Sequence, residues 1–111
     1  MYIKMNNNLS KIISKFTREA NYILKDNVIE KYLFGSYARN RFSSESDIDI
    51  LIIINNYNID FQYKLSELAS DYSIEYGVCI SPILKDFELW EKNKQYNTLF
   101  YQEVAKDGIR L

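Results

Sequence analysis

Histidine is absent from the 111 residues. That excludes imidazole acid–base catalysis and the usual histidine metal sites, so any metal implied here is a hard cation held by oxygen. Cysteine occurs once, at Cys79, so no internal disulfide can form. In its apolar stretch the thiol is expected to be buried and inert. No run approaches the roughly 18 apolar residues that suggest a membrane span. The first ten residues, MYIKMNNNLS, lack the apolar core of a signal peptide. A cytoplasmic protein with no membrane partner is expected.

What is present bounds the class. Hydrophobic residues make up 47% of the chain, which excludes a disordered segment, and the length fits one domain able to bury a core. Net charge is −1 but uneven. Residues 1–41 carry eight Lys/Arg against three Asp/Glu, and residues 42–111 carry six against twelve. A polynucleotide binder is usually clearly basic, so nucleic acid is disfavoured as a partner. The basic half faces a triphosphate or a partner, or is simply a solvated surface. The ten tyrosines fall mostly at core or edge positions and need no functional explanation.

Leu9, Ile12, Ile13, Phe16, Ala20 and Ile23 fall on one helical face, predicting a helix over about 8–25, capped by Asn7 or Asn8. Val28–Phe34 is rich in β-branched and aromatic residues and reads as a strand. Ile48–Ile54 is nearly continuous apolar sequence after Asp49, which suits a central strand covered on both faces. Phe61, Leu65, Leu68, Ala69 and Tyr72 predict a second helix ending at a Gly77 cap. Val78–Leu84 reads as a third strand, placed at a sheet edge or bulged because Pro82 cannot donate to the ladder. Asp86 caps a short helical turn containing Phe87 and Trp90. A last helix around Thr98–Lys106 ends at Gly108, and Ile109–Leu111 adds a short strand. The order α-β-β-α-β-α predicts an α/β (α+β) fold, a small mixed β-sheet covered by helices.

The chain is organised around Leu33–Ile54, LFGSYARNRFSSESDIDILIII. A strand ends in Gly35-Ser36, ten residues follow, and Asp47-Ile48-Asp49 opens the next strand. Strand residues alternate faces, so Asp47 and Asp49 project to one side and Ile48 to the other. Two carboxylates on one face repel and are costly without a cation between them, a cost that Mg²⁺ removes. Glycine lets backbone approach a phosphate closely, and the Ser36 hydroxyl and following N–H groups donate to it. A helix starting near Tyr37 would aim its N-terminus at that anion. Arg39 and Arg41 add charge-assisted bonds or serve the surface.

G-S-Y-A-R, the ten-residue spacing and D-I-D before an apolar run together resemble the signature of the DNA polymerase beta-like nucleotidyltransferase superfamily. Within it the segment is most similar to the minimal nucleotidyltransferases, small proteins often encoded beside a HEPN-domain partner. Asn40 stands where that family often has glycine, and asparagine tolerates the left-handed backbone such a turn needs. The resemblance implies one nucleotidyltransferase domain over residues 1–111 and transfer of AMP from ATP to an acceptor hydroxyl, as AMPylation of a HEPN toxin by its antitoxin. It implies Asp47 and Asp49 as catalytic Mg²⁺ ligands, and Gly35, Ser36 and Arg39 as holders of the ATP phosphates. The chain cannot itself be the HEPN ribonuclease half, whose R-x-x-x-x-H type motif needs a histidine.

One element of the pattern is missing. Relatives supply a third acid from the strand beside D-x-D, but Val78-Cys79-Ile80-Ser81-Pro82-Ile83 contains none. Glu75 is near in sequence but is expected in the last turn of the preceding helix, where a carboxylate is ordinarily solvated. Two readings follow: an enzyme whose transfer is slow or partner-dependent, and a nucleotide-binding module that neutralises a toxin by contact alone.

Overall fold

The computed structural model describes residues 7–39, 41 and 46–111. In chain order the elements are α1 (Asn7–Leu24), a 3-10 turn (Lys25–Asn27), β1 (Val28–Phe34), β2 (Ile48–Ile54), α2 (Ile59–Tyr76), β3 (Ile80–Asp86), α3 (Phe87–Gln95), α4 (Leu99–Asp107) and β4 (Ile109–Arg110). The sheet order is β3-β2-β1-β4. β1 runs antiparallel to β2 and β4, whereas β2 and β3 are parallel. The parallel pair is joined through α2, because parallel strands need a crossover rather than a hairpin. The mixed sheet and its helical cover are as expected. The backbone at Asn40, expected to be left-handed, lies outside the described residues.

The run Ile48–Ile54 explains the layering. Ile48, Ile50, Ile52 and Ile54 share a face and pack with Leu33 against Phe16, Leu24 and Leu65 of α1 and α2. Leu51 and Ile53 point the other way and pack with Phe34 against Trp90 of α3 and Val104 of α4. Of the seven β2 residues only Asp49 is not fully buried. On the α1 side, Phe16 meets the Tyr72 ring edge-on at 5.3 Å between centroids. Truncating a phenylalanine enclosed this way costs about 3–5 kcal/mol, through lost burial and the cavity left behind.

Local signals set most boundaries. Asn58 caps α2 by accepting from the Phe61 N–H, and Gly77 ends it at φ 68°. Asp86 and Thr98 accept from Glu88 N and Tyr101 N at the starts of α3 and α4. Two expectations need correction. Asn7 and Asn8 are already helical in α1, so neither is its cap. β3 begins at Ile80 rather than Val78, since the left-handed Gly77 leaves Val78 and Cys79 to turn the chain into the sheet. Pro82 does sit on an edge strand, since β3 is paired only with β2 among the described residues.

Candidate active site

Gly35 ends β1 at φ +74°, a left-handed backbone that side chains other than glycine adopt rarely. A Cβ there would run into Oδ2 of Asp49 and stand 3.3 Å from its Cγ. Glycine thus serves two ends: it turns the chain and leaves room for a carboxylate against the backbone. The strand register makes the approach possible, because Phe34 pairs directly with Asp49.

Beyond Gly35 the chain forms a turn over 35–39 rather than the helix expected from Tyr37. Its bonds are Arg39 N–H to Gly35 O at 3.2 Å and Arg41 N–H to Ser36 O at 2.9 Å. Tyr37 is buried and pins the turn to the α1–α2 side of the core. Ser36 is half-buried at its start. The Arg39 guanidinium donates to Glu103 Oε1 on α4 at 3.2 Å. Both side chains remain over a third exposed, so the pair contributes only about 0.2–1 kcal/mol to stability.

Asp49 is half-buried and Asp47, just before β2, is exposed. Burial pushes the Asp49 carboxyl above the usual carboxylate range, and the charges of Asp47 and Glu103 push it further; Arg39 opposes them. Ile48 between them is buried on the opposite face. Thus Gly35, Arg39, Asp47 and Asp49 come together, with Ser36 following Gly35. Glu103 was not foreseen. It lies 64 residues from Arg39, and no local spacing signals that approach.

The other side of Asp47 differs from expectation. Cys79 is exposed rather than buried, because it precedes β3 instead of lying in it. Its thiol donates to Asp47, and that bond, followed by burial and the Asp47 and Asp49 charges, raises the thiol pKa. Asp47 and Cys79 line a cleft of about 430 Å³ with Ser66, Ser70, Ser73 and Ser81. Ser81 is the parallel neighbour of Asp49, so a neutral hydroxyl occupies the place beside it on the next strand. Glu75 is exposed and lines a different groove with Lys11 and Lys15. Among the described residues, no three His, Cys, Asp or Glu side chains converge as metal ligands. The geometry therefore offers two carboxylates, open space beside them and one nearby guanidinium.

Comparison with known proteins identifies the class. A family described as "Polymerase beta, Nucleotidyltransferase" matches residues 5–111. Two Methanocaldococcus jannaschii proteins, "Putative protein adenylyltransferase MJ0141" and "Putative protein adenylyltransferase MJ0604", are each 36% identical over 101 residues. The alignments cover 90% and 91% of this chain and 95% of each relative. Among solved structures, that of "a putative nucleotidyltransferase from Sulfolobus solfataricus" superposes with TM-score 0.57 at 24% identity, over 90% of this chain and 76% of that one. A toxin-antitoxin structure with AMP-PNP gives TM-score 0.58 at 21% identity, over 90% and 69%. The fold of these neighbours is the one built here from a Gly-Ser turn facing a D-x-D strand. With a family match across nearly the whole chain and relatives aligned along almost their full length, the chain belongs to the polymerase beta nucleotidyltransferase family and is a nucleotidyltransferase.

Proposed function

We propose that this protein transfers AMP from ATP to an acceptor hydroxyl, and that the acceptor is a tyrosine on a HEPN-domain toxin for which it is the antitoxin. The observation that carries the reading is the packing of Gly35 against Asp49, with Asp47 beside them. The relatives' names as protein adenylyltransferases support the reaction. The toxin-antitoxin neighbour supports the partner class.

Asp47 and Asp49 fit Mg²⁺. Their donors are hard oxygens, and Asp49 already carries excess local negative charge that a divalent cation relieves. Bound there, the ion supplies charge neutralisation at the phosphates and at the attacking oxygen. Gly35 lets the phosphate chain approach the backbone, the Ser36 hydroxyl donates to it, and Arg39 offsets its charge. The acceptor oxygen bonds to the α-phosphorus of ATP, the bond to the bridging oxygen of the β-phosphate breaks, and pyrophosphate leaves. Because Ser81 is neutral, the acceptor proton passes to water or to a carboxylate brought by the partner.

Ser81 also favours a second reading, in which the protein binds nucleotide and neutralises its partner by contact alone. Co-expression with the adjacent gene product and intact-mass measurement separates the two. AMP additions on the partner that vanish with Asp47→Asn support transfer. A stable complex without added mass, with neutralisation unaffected by that substitution, supports the contact-only reading.

A further inference from the structure

A cavity of about 220 Å³ lies on the α3–α4 side of the sheet, and its wall includes Glu30 and Tyr32 of β1, Trp90 and Lys94 of α3, and Tyr101 and Val104 of α4. It shares no residue with the Asp47–Asp49 site. Trp90 is only 4% exposed. Its ring meets Phe100 and Tyr101 at 5.8 and 5.5 Å between centroids, yet its indole N–H donates to no acceptor among the described residues. A buried indole N–H ordinarily has an acceptor. Glu30 accepts from the Tyr32 hydroxyl at 2.7 Å and, among the described residues, has no ion pair. Arg110, the register partner of Tyr32, makes none with it. Lys94 is tied only to Glu91 of its own helix, at 3.3 Å with both side chains about half exposed, a weak hold.

We infer that this cavity binds a short amino acid as a zwitterion, its ammonium on Glu30 and its carboxylate on the Trp90 indole N–H and Lys94. Glu30 comes from the sheet and Lys94 from the helix layer, and the two do not pair with each other. The wall thus presents a carboxylate without a cation on one side and donors without an anion on the other. A ligand of single charge answers one side and leaves the other bare, whereas a zwitterion answers both. The rings of Tyr32 and Tyr101 suit the ammonium, which is attracted to aromatic faces. Buried Val104 suits a short methylene body. The volume falls below the ~300–1,000 Å³ of pockets for drug-sized ligands, which restricts the occupant to a few heavy atoms. The site lies beyond the nucleotidyl-transfer reading but touches it through α4: Tyr101 and Val104 line the cavity, while Glu103 of the same helix holds Arg39.

The test is calorimetric titration of the full-length protein with glycine, β-alanine and γ-aminobutyrate, with ethylamine and propionate as probes of single charge. At least one of the three amino acids should bind, ~10-fold or more tightly than either single-charge probe, the scale of one added charge-assisted contact. Glu30→Gln and Lys94→Gln should each weaken that binding by ~10-fold. Trp90→Phe removes the N–H, keeps an aromatic ring and should weaken it as well. Circular dichroism verifies that each variant is folded, and the two Gln variants, at less buried positions, carry the test if Trp90→Phe is not. The double variant Asp47→Asn, Asp49→Asn should bind the amino acid as the wild type does; loss of binding there would place the ligand in the other site and overturn the proposal. Absence of binding by all three amino acids would overturn it and leave the cavity to water. Indifference to both Glu30→Gln and Lys94→Gln would also overturn it. Ethylamine or propionate binding as tightly as the amino acids would overturn it in favour of a ligand of single charge.

Discussion

Ser81 on β3 and Asp49 on β2 are direct neighbours in the parallel register of the sheet. In a parallel pair such neighbours point to the same face, so a longer side chain at position 81 would lie alongside the Asp49 carboxylate. Ser81→Asp is expected to speed transfer to the acceptor by ~10-fold or more, within the range of a positioned general base. The same substitution should lower metal-free stability, since a third like charge joins Asp47 and Asp49. Time-resolved intact mass and thermal melts with and without Mg²⁺ measure both effects. A variant as slow as the wild type would show that an acid beside Asp49 is not what limits the reaction.

The Asp47–Asp49 repulsion predicts an unusual pattern in stability. Asp49→Asn should leave the metal-free melting temperature unchanged or slightly raised, because burial and neighbouring charge already penalise the ionised form. The rise in melting temperature on adding MgATP should disappear. A MgATP-dependent rise equal to that of the wild type in the Asp47→Asn, Asp49→Asn protein would remove the pair from the site.

Gly35→Ala should be harmful on two independent grounds. A left-handed backbone costs a non-glycine residue about 1–2 kcal/mol, and the new methyl group meets Asp49. Denaturant melts are expected to show at least that loss, with MgATP affinity falling further than in Ser36→Ala. Normal stability and affinity would mean that the phosphate approaches elsewhere.

Much of this was legible because the signals are local. Asn58, Gly77, Asp86 and Thr98 act on their own helix ends through contacts a few residues away, and the isoleucines of β2 alternate where they stand. The Gly-Ser step and D-x-D could be paired from spacing because β1 and β2 are consecutive and antiparallel. Glu103 could not be placed beside Arg39, since that contact depends on how α4 packs across the sheet. Cys79 was misread for a related reason. Its apolar neighbours suggested a strand, but Gly77 delayed β3 by two residues and left the thiol in the connection. The helix expected at Tyr37 was overridden because Tyr37 anchors in the core and holds residues 35–39 as a turn.

The Cys79–Asp47 contact gives a chemical probe of the site. A raised thiol pKa leaves less thiolate, so alkylation near neutral pH should be slow despite exposure. Asp47→Asn lowers that pKa and should speed alkylation at a fixed mildly alkaline pH, followed by mass spectrometry. Equal rates in the two proteins would mean that the carboxylate does not control the thiol.

Tyr72 predicts the alkaline behaviour of the fold. It is buried, and its hydroxyl donates to Glu19 at 2.9 Å. Burial, and then that carboxylate, hold its pKa well above that of a free tyrosine. The folded pKa is raised, so this contribution to stability is full below the unfolded value of about 10 and is lost as pH rises above it. Tyr72→Phe should cost about 1 kcal/mol at neutral pH and flatten the decline on the alkaline side. Parallel slopes for the two proteins across the alkaline range would assign that decline to other groups.

Pro82 has a consequence for how the molecule meets other chains. It has no amide hydrogen, and its carbonyl accepts from Gln62 Nε2 of α2 at 3.4 Å. The outer margin of β3 is thus blunted at its middle on both counts, and the opposite margin of the sheet is a strand of only two residues. Among the described residues, both margins thus lack the long regular edge strand that best templates strand addition. Edge-to-edge growth of the sheet is thereby disfavoured, and helix faces and loops, where side chains rather than backbone decide the fit, are the more open ground for association.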